Sequence, residues 1–472
     1  MTQSQHEDIQ KLNSIIDYSI TFFILKSIKM PYYIDETSFV VADIGSFATR
    51  VGLSGMDLPS GSFPSSVGVN ENDTNKSNSK SNKNKSSSSN NKSSYHFDIA
   101  NFREHMGIEN PYDNNGLITN WDVLEKIYEN SYSKYLNCKS KERPIIITEK
   151  SNDNTQQLMK NREQLCELMF ETFEVPGFYI GNDATFALFA NGYTTGTVAD
   201  IGHSGSTVTP ILNGYADTEC VESFNIGGLY MDMYMEGLLR DQGISLVPPY
   251  HFKQEYDMEK NDVVAKEIQH QHVNPTYDRF ISLQIARDLR ENVSIMSRVP
   301  TSTDPEMLHL PALPYELPDG HLINIGTNRY MVTETLCNPA SISYIHKLHG
   351  REFAENDKKE GLQHLVMKAT TKASNKSFKT YEKLIENLVI TGGTSCIQNV
   401  PERIHSEVQQ LVAAETPDLS VQLVSMESEQ RQCSSFIGGS LLGSMPSFRS
   451  QAVMTKDMYN EHGSHYACEF CP

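Results

Sequence analysis

The chain is poor in cysteine, in basic residues and in long apolar runs, and each shortage excludes a class of protein. Eight cysteines scattered over 472 residues are too few for a disulfide scaffold and indicate a reducing compartment. Lys and Arg number 40 against 59 Asp and Glu, so the net charge is −19. This charge disfavours direct, sequence-specific DNA binding and suits basic partners such as histones. No apolar run reaches the ~18–20 residues of a membrane span, so a soluble intracellular protein without a membrane partner is expected.

Three short stretches share one design, an apolar run that ends at a glycine turn. In Phe39–Ser46 and Thr197–Ser204, a β-branched run reaches aspartate, one apolar residue, glycine and small polar residues. Each run predicts a buried strand, and turn N–H groups can then hold phosphate beside an aspartate that faces hydrated Mg²⁺. The third stretch, Asn387–Thr394, is a strand that runs into a glycine pair. One such motif is common in ordinary turns, but three in this order predict a two-lobed nucleotide clamp.

Two segments differ in composition from a packed core. Residues 70–94 are mostly Asn, Ser and Lys and cannot bury enough apolar surface to fold, so they predict a low-complexity insertion within a folded unit. Near the C terminus, His462, His465, Cys468 and Cys471 stand three residues apart. Zinc knuckles need two ligand pairs held apart by a folded loop. A plain surface tail is therefore favoured over a zinc site, which stays open as an alternative.

From Arg143 onward, the apolar pattern alternates between strands and helices, which is typical of an α/β protein. The predicted elements are strands at Pro144–Thr148 and Phe178–Ile180, and helices at Leu165–Phe173 with Asn161 as N-cap, at Ala184–Ala190, and from Pro401 to Leu411.

Longer motifs carry a resemblance to the actin family over residues 37–472. The stretches that resemble actin and the actin-related proteins are Gly116–Ile127, Met169–Pro176, Ala190–Gly196, Tyr315–Gly320 and Phe436–Leu442. Within the family, four features are most similar to the nuclear actin-related proteins of class four. These are the opening Asp43–Gly52, the run Leu246–Tyr250, the position of the low-complexity insertion, and the ending Cys471-Pro472.

The resemblance implies an α/β, actin-like two-lobed ATPase fold, built from duplicated ribonuclease-H-like domains with peripheral subdomains. Residues 1–36 are then a disordered N-terminal extension, and 37–190 form the first lobe around the insertion at 70–94. Residues 191–430 form the second lobe, with a peripheral subdomain at about 228–314, and 431–472 return to the first lobe.

The resemblance also implies that the cofactors are ATP and Mg²⁺. The residues that match the family's nucleotide site are Asp43, Gly45, Ser46, Arg50, Asp183, Asp200, Gly202, Ser204, Gly228, Arg290, Glu291, Gly392, Gly393 and Thr394. Among them, Asp43 and Asp200 are expected to hold the metal through water. Glu291 can accept hydrogen bonds from ribose, and Arg290 can lie against adenine.

Several positions depart from the family pattern, and they weaken the expectation of catalysis. Asp183 and Thr207 stand where actin has the glutamine and the histidine that position the attacking water. His203 replaces an aspartate, Phe47 replaces a glycine of the first phosphate loop, and Gln432 replaces a lysine near the base. Hydrolysis needs a group that holds the attacking water. We therefore expect slow or absent hydrolysis and no catalytic residue, with an ATP-hydrolysing cytoskeletal or actin-like protein as the alternative.

For the partners, the resemblance implies a subunit of chromatin-remodelling complexes, SWI/SNF-type included, and of histone acetyltransferase complexes that regulate transcription. It would bind nuclear actin and a helical segment of a remodelling ATPase or scaffold subunit, with histones or nucleosomes left open as further partners. A groove between the lobes is expected to hold that helix, lined by Phe189, Gly192, Thr194, Tyr215, Leu442 and Met445. The expected location is the nucleus, with the cytoplasm left open, and the insertion argues against filament formation.

Overall fold

A computed structural model describes residues 38–70, 94–113, 116–152, 155–257, 262–302, 310–342 and 360–471. The expected N-terminal extension and nearly all of the low-complexity insertion lie outside these ranges. Only Asn70 and Ser94, the two ends of the insertion, are described, and they pair with each other across two antiparallel strands. Among the described helices, none combines the length and the apolar character needed to cross a bilayer.

The first part of the chain alternates strands and helices. Its strands are β1 Val40–Ile44, β2 Ala48–Leu53, β3 Gly61–Pro64, β4 Val67–Asn70, β5 Ser94–His96, β6 Met106–Glu109, β7 Ile145–Glu149 and β8 Gly177–Asn182, and its helices are α1 Trp121–Asn130, α2 Thr155–Glu167 and α3 Asp183–Ala190.

The second part continues with ten described strands and seven described helices. The strands are β9 Gly196–Ile201, β10 Ser206–Leu212, β11 Tyr215–Ala216, β12 Glu222–Phe224, β13 Phe252–Asp257, β14 Asp262–Glu267, β15 Leu313–Glu316, β16 Leu322–Ile325, β17 Asn387–Thr391 and β18 Gln422–Val424. The helices are α4 Gly228–Asp241, α5 Pro275–Val293, α6 Asn328–Glu334, α7 Leu362–Ala373, α8 Phe378–Glu386, α9 Val400–Glu415 and α10 Ser428–Arg431. The C-terminal elements are α11 Ser434–Ser444, α12 Pro446–Gln451, β19 Met454–Thr455, α13 Lys456–His462 and α14 Tyr466–Phe470.

Two central sheets repeat one pattern. The first has the order β19-β8-β7-β1-β2-β3, and the second has the order β11-β10-β9-β17-β18 with β12 on β10. In both, a central strand (β1 or β9) forms an antiparallel hairpin on one side and pairs with a parallel strand on the other. The two hairpin turns carry the two aspartate–glycine motifs. Smaller sheets, β5-β4-β6, β13-β14 and β15-β16, lie outside these two.

The C-terminal segment is joined to the first part of the chain by a close contact between helices α3 and α11. A Cβ atom on Gly438 of α11 would overlap the carbonyl oxygen of Phe186 in α3, so only glycine permits this approach. Phe186 and Phe436 are both fully buried beside the contact. Helix α11 therefore brings the C-terminal segment back against the first sheet.

Two local predictions are wrong. The helix expected to begin with Asn161 as its N-cap begins at Thr155 instead. Asn161 is buried within α2, where its Oδ1 accepts a hydrogen bond from Gln157. The C terminus is not a plain surface tail, because Ala467 and Cys471 are fully buried in the first core.

Candidate functional site

A cleft of about 1200 Å³ lies where the hairpin turns of the two central sheets meet. All fourteen residues that the resemblance assigns to ATP line this cleft. They come from the β1–β2 turn, the β9–β10 turn, the starts of α3 and α4, the second half of α5, and the turn after β17. The structure thus brings the whole set together, while its role in binding ATP stays a prediction.

The first phosphate turn, between β1 and β2, is fixed from outside by two side chains. Asn110 donates from Nδ2 to the carbonyl oxygen of Ser46 at 2.8 Å. The Tyr112 hydroxyl donates to the carbonyl oxygen of Ile44 at 2.6 Å. These two bonds therefore hold carbonyl groups at both sides of the turn.

Asp43, at the end of β1, has two partners. Arg50 lies opposite it in the hairpin register, and its Nη1 is 3.5 Å from Oδ2 of Asp43. Thr148 on β7 donates to Oδ1 of Asp43 at 2.8 Å. Arg50 therefore partly neutralises Asp43 at the cleft wall and lines the cleft beside it.

The second phosphate turn depends on glycine. The carbonyl oxygen of Gly202 accepts from the Gly228 N–H at 3.0 Å and from the Thr394 hydroxyl at 2.8 Å. Gly392 has φ +90°, and a Cβ atom there would overlap a carboxylate oxygen of Asp200. Larger residues at Gly392 are excluded by both its backbone angle and this close approach.

Asp183 begins α3, and its carboxylate is directed partly at backbone N–H groups. Its Oδ1 accepts from the N–H groups of Ala184 at 2.7 Å and Ser151 at 3.2 Å. Burial raises the pKa of Asp183 from its ordinary value of 3.8 to about 7, with a further increase from the charge of Asp200 and a decrease from Lys150. Burial also raises the pKa of Asp200, which Lys150 again lowers.

These carboxylates fit a hydrated Mg²⁺. Asp43, Asp183 and Asp200 face one cleft, and hard oxygen donors are the ligands that Mg²⁺ prefers. Because burial makes the charged forms of Asp183 and Asp200 unfavourable, a divalent cation would stabilise them. Asp43 and Asp200, which are predicted to hold the ion through water, both line the cleft, and this role stays a prediction.

A stack of side chains crosses the cleft between the two phosphate turns. The Cζ atom of Arg287 lies 3.8 Å from the ring centroid of Phe47, and the rings of Phe47 and His203 are 5.3 Å apart. Arg287 is buried and also pairs with Asp232 at 3.1 Å. Phe47, which replaces a glycine of the family pattern, therefore has a defined position. Its ring connects the first phosphate turn to α5 through Arg287 and to the second phosphate turn through His203.

Arg290 and Glu291 lie in the cleft wall with different surroundings. Arg290 is buried, its Nε donates to Asp232 at 2.6 Å, and its Nη2 is 3.5 Å from Glu291. Glu291 is largely exposed, which suits contact with ribose hydroxyls. Asp232 holds the guanidinium of Arg290 by its edge, and burial leaves little of the guanidinium face exposed for the expected stacking on adenine.

The sequence analysis missed several residues that line the cleft, among them Tyr112, Lys150, Arg287 and Arg431. Lys150 was detectable, because it follows β7, and the carboxyl ends of parallel strands share an edge with the β1 turn. A Cβ atom on Gly202 would lie 3.1 Å from its Nζ, so this cation adjoins the second phosphate turn.

Thr207, which stands at the position of a water-positioning histidine, does not line the cleft. Its hydroxyl is buried, without a hydrogen-bond partner among the described residues. Of the two residues that replace the water-positioning groups of actin, Asp183 and Thr207, only Asp183 faces the cleft.

A second groove runs between α3, α11 and α12. Four of the six residues expected there line it: Phe189, Tyr215, Leu442 and Met445. Gly192 and Thr194, the other two residues expected there, are not among the residues that line this groove. Gly192 ends α3 instead, with φ +85° and its N–H bonded to the carbonyl oxygen of Phe189.

The C-terminal histidines and cysteines do not form one four-residue cluster. His465 and Cys468 approach Glu163 of α2, with His465 Nδ1 2.8 Å from Glu163 Oε1. The carbonyl oxygen of the buried Cys471 accepts from Arg162 at 2.8 Å, and His462 stacks on Tyr466. The contacts thus distribute the four residues over different partners.

Comparison with known proteins agrees with this architecture. The Actin family model matches residues 34–472. The chain is 30% identical over 456 residues to actin-related protein 4 of Oryza sativa subsp. indica, which covers 93% of this chain and 99% of that protein. It is 29% identical over 453 residues to actin-related protein 4 of Arabidopsis thaliana, with the same coverage. It is 30% identical over 449 residues to actin-related protein 4 of Yarrowia lipolytica, and this match covers 92% of this chain and 96% of that protein.

These matches confirm the predicted resemblance to actin and to its class-four relatives, and they confirm the predicted actin-like fold. Because the family model covers almost every residue after the N-terminal segment, the chain belongs to the actin family.

Proposed function

We propose that this chain is a nuclear actin-related protein that binds ATP with Mg²⁺ as a structural ligand and acts as a non-catalytic interaction subunit of chromatin-remodelling and histone acetyltransferase complexes. The observation that carries the ATP proposal is the convergence of all fourteen predicted residues on one cleft. The actin-related protein 4 relatives support the assignment to this class.

The geometry favours binding over hydrolysis. Asp183 presents a carboxylate whose Oδ1 already accepts two N–H groups, and Thr207 does not reach the cleft. In its charged form Asp183 would repel the γ-phosphate, so neither residue is placed to hold the attacking water that hydrolysis requires. ATP would then stabilise the closed arrangement of the two halves.

A nucleotide-content and phosphate-release assay tests this proposal. The purified protein should contain or take up ATP in the presence of Mg²⁺, and its turnover should be far below the ~10 per second of a typical enzyme. The double variant Asp183→Gln with Thr207→His should raise any residual turnover. Phosphate release at enzyme-like rates that Asp200→Ala abolishes would instead establish the alternative, an ATP-hydrolysing actin-like protein.

The groove of Phe189, Tyr215, Leu442 and Met445 is our proposed docking site for a helix of the large subunit. It is lined mainly by apolar side chains, which suits the apolar face of an amphipathic helix. Phe189, Leu442 and Met445 are themselves largely buried, so each offers the groove only part of its side chain.

Co-purification with the helical segment of a remodelling ATPase tests the groove. Phe189→Ala with Met445→Glu should weaken binding, because the first change removes a ring from the groove wall and the second places a charge in an apolar groove. Leu441→Glu is a matched control, because Leu441 is exposed on α11 next to Leu442 and does not line the groove. A double variant that melts normally and binds like wild type would exclude this site.

Nuclear actin is proposed as a neighbouring partner, histones remain a further candidate, and self-assembly into filaments is not expected. Affinity purification with mass spectrometry from nuclear extract should recover actin together with remodelling subunits. Sedimentation of the pure protein as polymer in Mg²⁺ and ATP would contradict the non-filamentous part of the proposal.

A further inference from the structure

The C-terminal helix α14 packs along helix α2 of the first part of the chain. Ala467 and Cys471 of this segment are fully buried in the first core. The carbonyl oxygen of Cys471 accepts a hydrogen bond from Nη1 of Arg162 at 2.8 Å. Just before α14, the Ser464 hydroxyl donates to Oε1 of Glu167 at 2.8 Å. These contacts fix the C-terminal segment on α2 from Arg162 to Glu167.

Three side chains that can bind a metal ion meet inside this contact. Glu163 of α2, His465 and Cys468 each offer one ligand atom, and the three atoms all lie within 4.8 Å of one another. Nδ1 of His465 is 2.8 Å from Oε1 of Glu163. The Cys468 thiol donates to the carbonyl oxygen of Met159 at 3.5 Å, one turn before Glu163 in α2. The thiol and the imidazole therefore both point at the same stretch of α2.

The types of ligand atom determine which metal fits. A thiolate sulfur, an imidazole nitrogen and a carboxylate oxygen suit Zn²⁺, whereas Mg²⁺ and Ca²⁺ prefer oxygen ligands alone. The bonds in a tetrahedral zinc site are about 2.0–2.3 Å long, so its ligand atoms stand about 3.3–3.6 Å apart. His465 and Glu163 would thus separate by about 0.5 Å and the sulfur would approach by at most about 1.5 Å, which side-chain rotation can supply.

An ion can reach these side chains from solvent. The side chain of His465 is 70% exposed and that of Glu163 is 35% exposed. The other two residues of the C-terminal sequence pattern do not join them. Cys471 is fully buried, and the ring of His462 stacks on Tyr466. The cluster thus takes two residues from the pattern and one from α2, which sequence spacing alone did not indicate.

We propose that Glu163, His465 and Cys468 form a zinc site, with water as the fourth ligand, that fastens the C-terminal helix to α2. On binding, the ion replaces the hydrogen bond between His465 and Glu163, and the proton of the Cys468 thiol passes to solvent. None of the three residues lines the nucleotide cleft, so the site does not depend on the proposed ATP binding. Because the unfolded chain does not hold these ligands together, Zn²⁺ should raise the melting temperature of the protein.

Equilibrium dialysis of the full, reduced chain against micromolar Zn²⁺, with Mg²⁺ in excess, tests the site when bound metal is counted by mass spectrometry. Wild type should hold one Zn²⁺ per chain. Cys468→Ser and His465→Gln should each weaken Zn²⁺ binding at least tenfold, because even the loss of a group that only supports a ligand costs about 10–100-fold. With Co²⁺ in place of Zn²⁺, wild type should show a thiolate-to-metal charge-transfer band that Cys468→Ser lacks.

His462→Gln is the matched control, because His462 is a histidine of the same segment that lies outside the cluster, and it should bind Zn²⁺ like wild type. A wild-type chain that holds no Zn²⁺, or a Cys468→Ser variant with wild-type affinity, would overturn the proposal. So would loss of Zn²⁺ in Asp200→Asn alone, because this result would place the ion in the cleft.

Thermal melting without metal shows whether the variants fold normally. If Cys468→Ser melts several degrees below wild type, Glu163→Gln tests the site with the thiol retained. Glutamine keeps a hydrogen-bonding side chain beside His465 but removes the carboxylate, so Zn²⁺ binding should again weaken at least tenfold. Wild-type affinity in Glu163→Gln would contradict the site.

Discussion

Asp183 and Glu149 are two carboxylic acids with raised pKa values but different neighbours. Burial raises the pKa of Glu149, and Arg162 opposes the increase through an ion pair of 2.6 Å. Asp183 has the N–H groups of Ala184 and Ser151 on one oxygen and feels the negative charge of Asp200. Glu149 is therefore neutralised by Arg162 within the protein, whereas Asp183 is suited to a cation that binds together with a ligand.

Asp183→Asn should stabilise the nucleotide-free protein, and more so at high pH. The pKa of Asp183 is raised from 3.8 to about 7 in the folded state, so the folded chain holds a proton that the unfolded chain releases. Relative to high pH, the favourable contribution of Asp183 to the free energy of unfolding is therefore present below about pH 4 and is lost as the pH rises to 7. Wild type thus loses stability over this range, whereas Asp183→Asn does not. Asparagine keeps the Oδ1 acceptor without the charge.

Thermal melting of both proteins without nucleotide or Mg²⁺ measures this effect. The difference in melting temperature between Asp183→Asn and wild type should grow between pH 5 and pH 8. A difference that is constant over this range would show that the charge of Asp183 does not destabilise the empty cleft.

Arg162→Met should lower the free energy of unfolding by about 3–5 kcal/mol at neutral pH, because it leaves the buried Glu149 without its cation. Lys126→Met is the control. Lys126 and Glu129 are separated by a similar 2.7 Å but are much more exposed, so that change should cost at most about 1 kcal/mol. Urea denaturation checks both, and the loss in Arg162→Met should shrink at low pH as Glu149 becomes protonated. Equal costs in the two variants would contradict the argument.

At the scale of elements, the sequence predicts strands better than helix starts. The predicted strands β1, β9 and β17 are confirmed. The prediction was reliable there because a buried β-branched run that ends at a glycine is typical of a strand. The start of α2 was wrong because Asn161 resembles an N-cap by residue type alone. Its side chain is instead bonded to Gln157 one turn earlier within the helix, a contact that sequence spacing does not distinguish from a cap.

The hairpin of β4 and β5 should tolerate loss of its connection. Asn70 and Ser94 are directly paired, so a two-residue Asn-Gly turn in place of residues 71–93 can close the same register. The free energy of unfolding should stay constant or rise by up to about 2 kcal/mol, because a shorter loop costs less entropy to close.

Chemical denaturation of the shortened protein checks this expectation, with nucleotide binding as a second readout. A loss of stability beyond about 1 kcal/mol, which exceeds the effect of a neutral surface change, would show that residues 71–93 make contacts that stabilise the fold.

At the scale of the whole molecule, the two central sheets repeat the same strand pattern, and the cleft forms between their turns. The duplicated aspartate–glycine motifs made this arrangement predictable. The cross-cleft contacts were not predictable, because the Phe47–Arg287 stack and the Phe102–Tyr250 ring stack join residues more than a hundred positions apart. No local periodicity indicates such pairs, and the packing of Ala467 and Cys471 into the first core was missed for the same reason.

A ligand that contacts both halves should stabilise them together. ATP with Mg²⁺ at 100 times its Kd would add about 2.7 kcal/mol to the free energy of unfolding, which for a chain of this size corresponds to a rise of about 3 °C in Tm. The rise should disappear with a chelator and in Asp200→Asn, because both remove the predicted metal interaction while the glycine turns remain. Calorimetry with ATP, with ATP and chelator, and with the variant separates these effects. An equal rise with the chelator present would show that nucleotide binds without the metal, and no rise in any condition would mean that the cleft does not bind ATP.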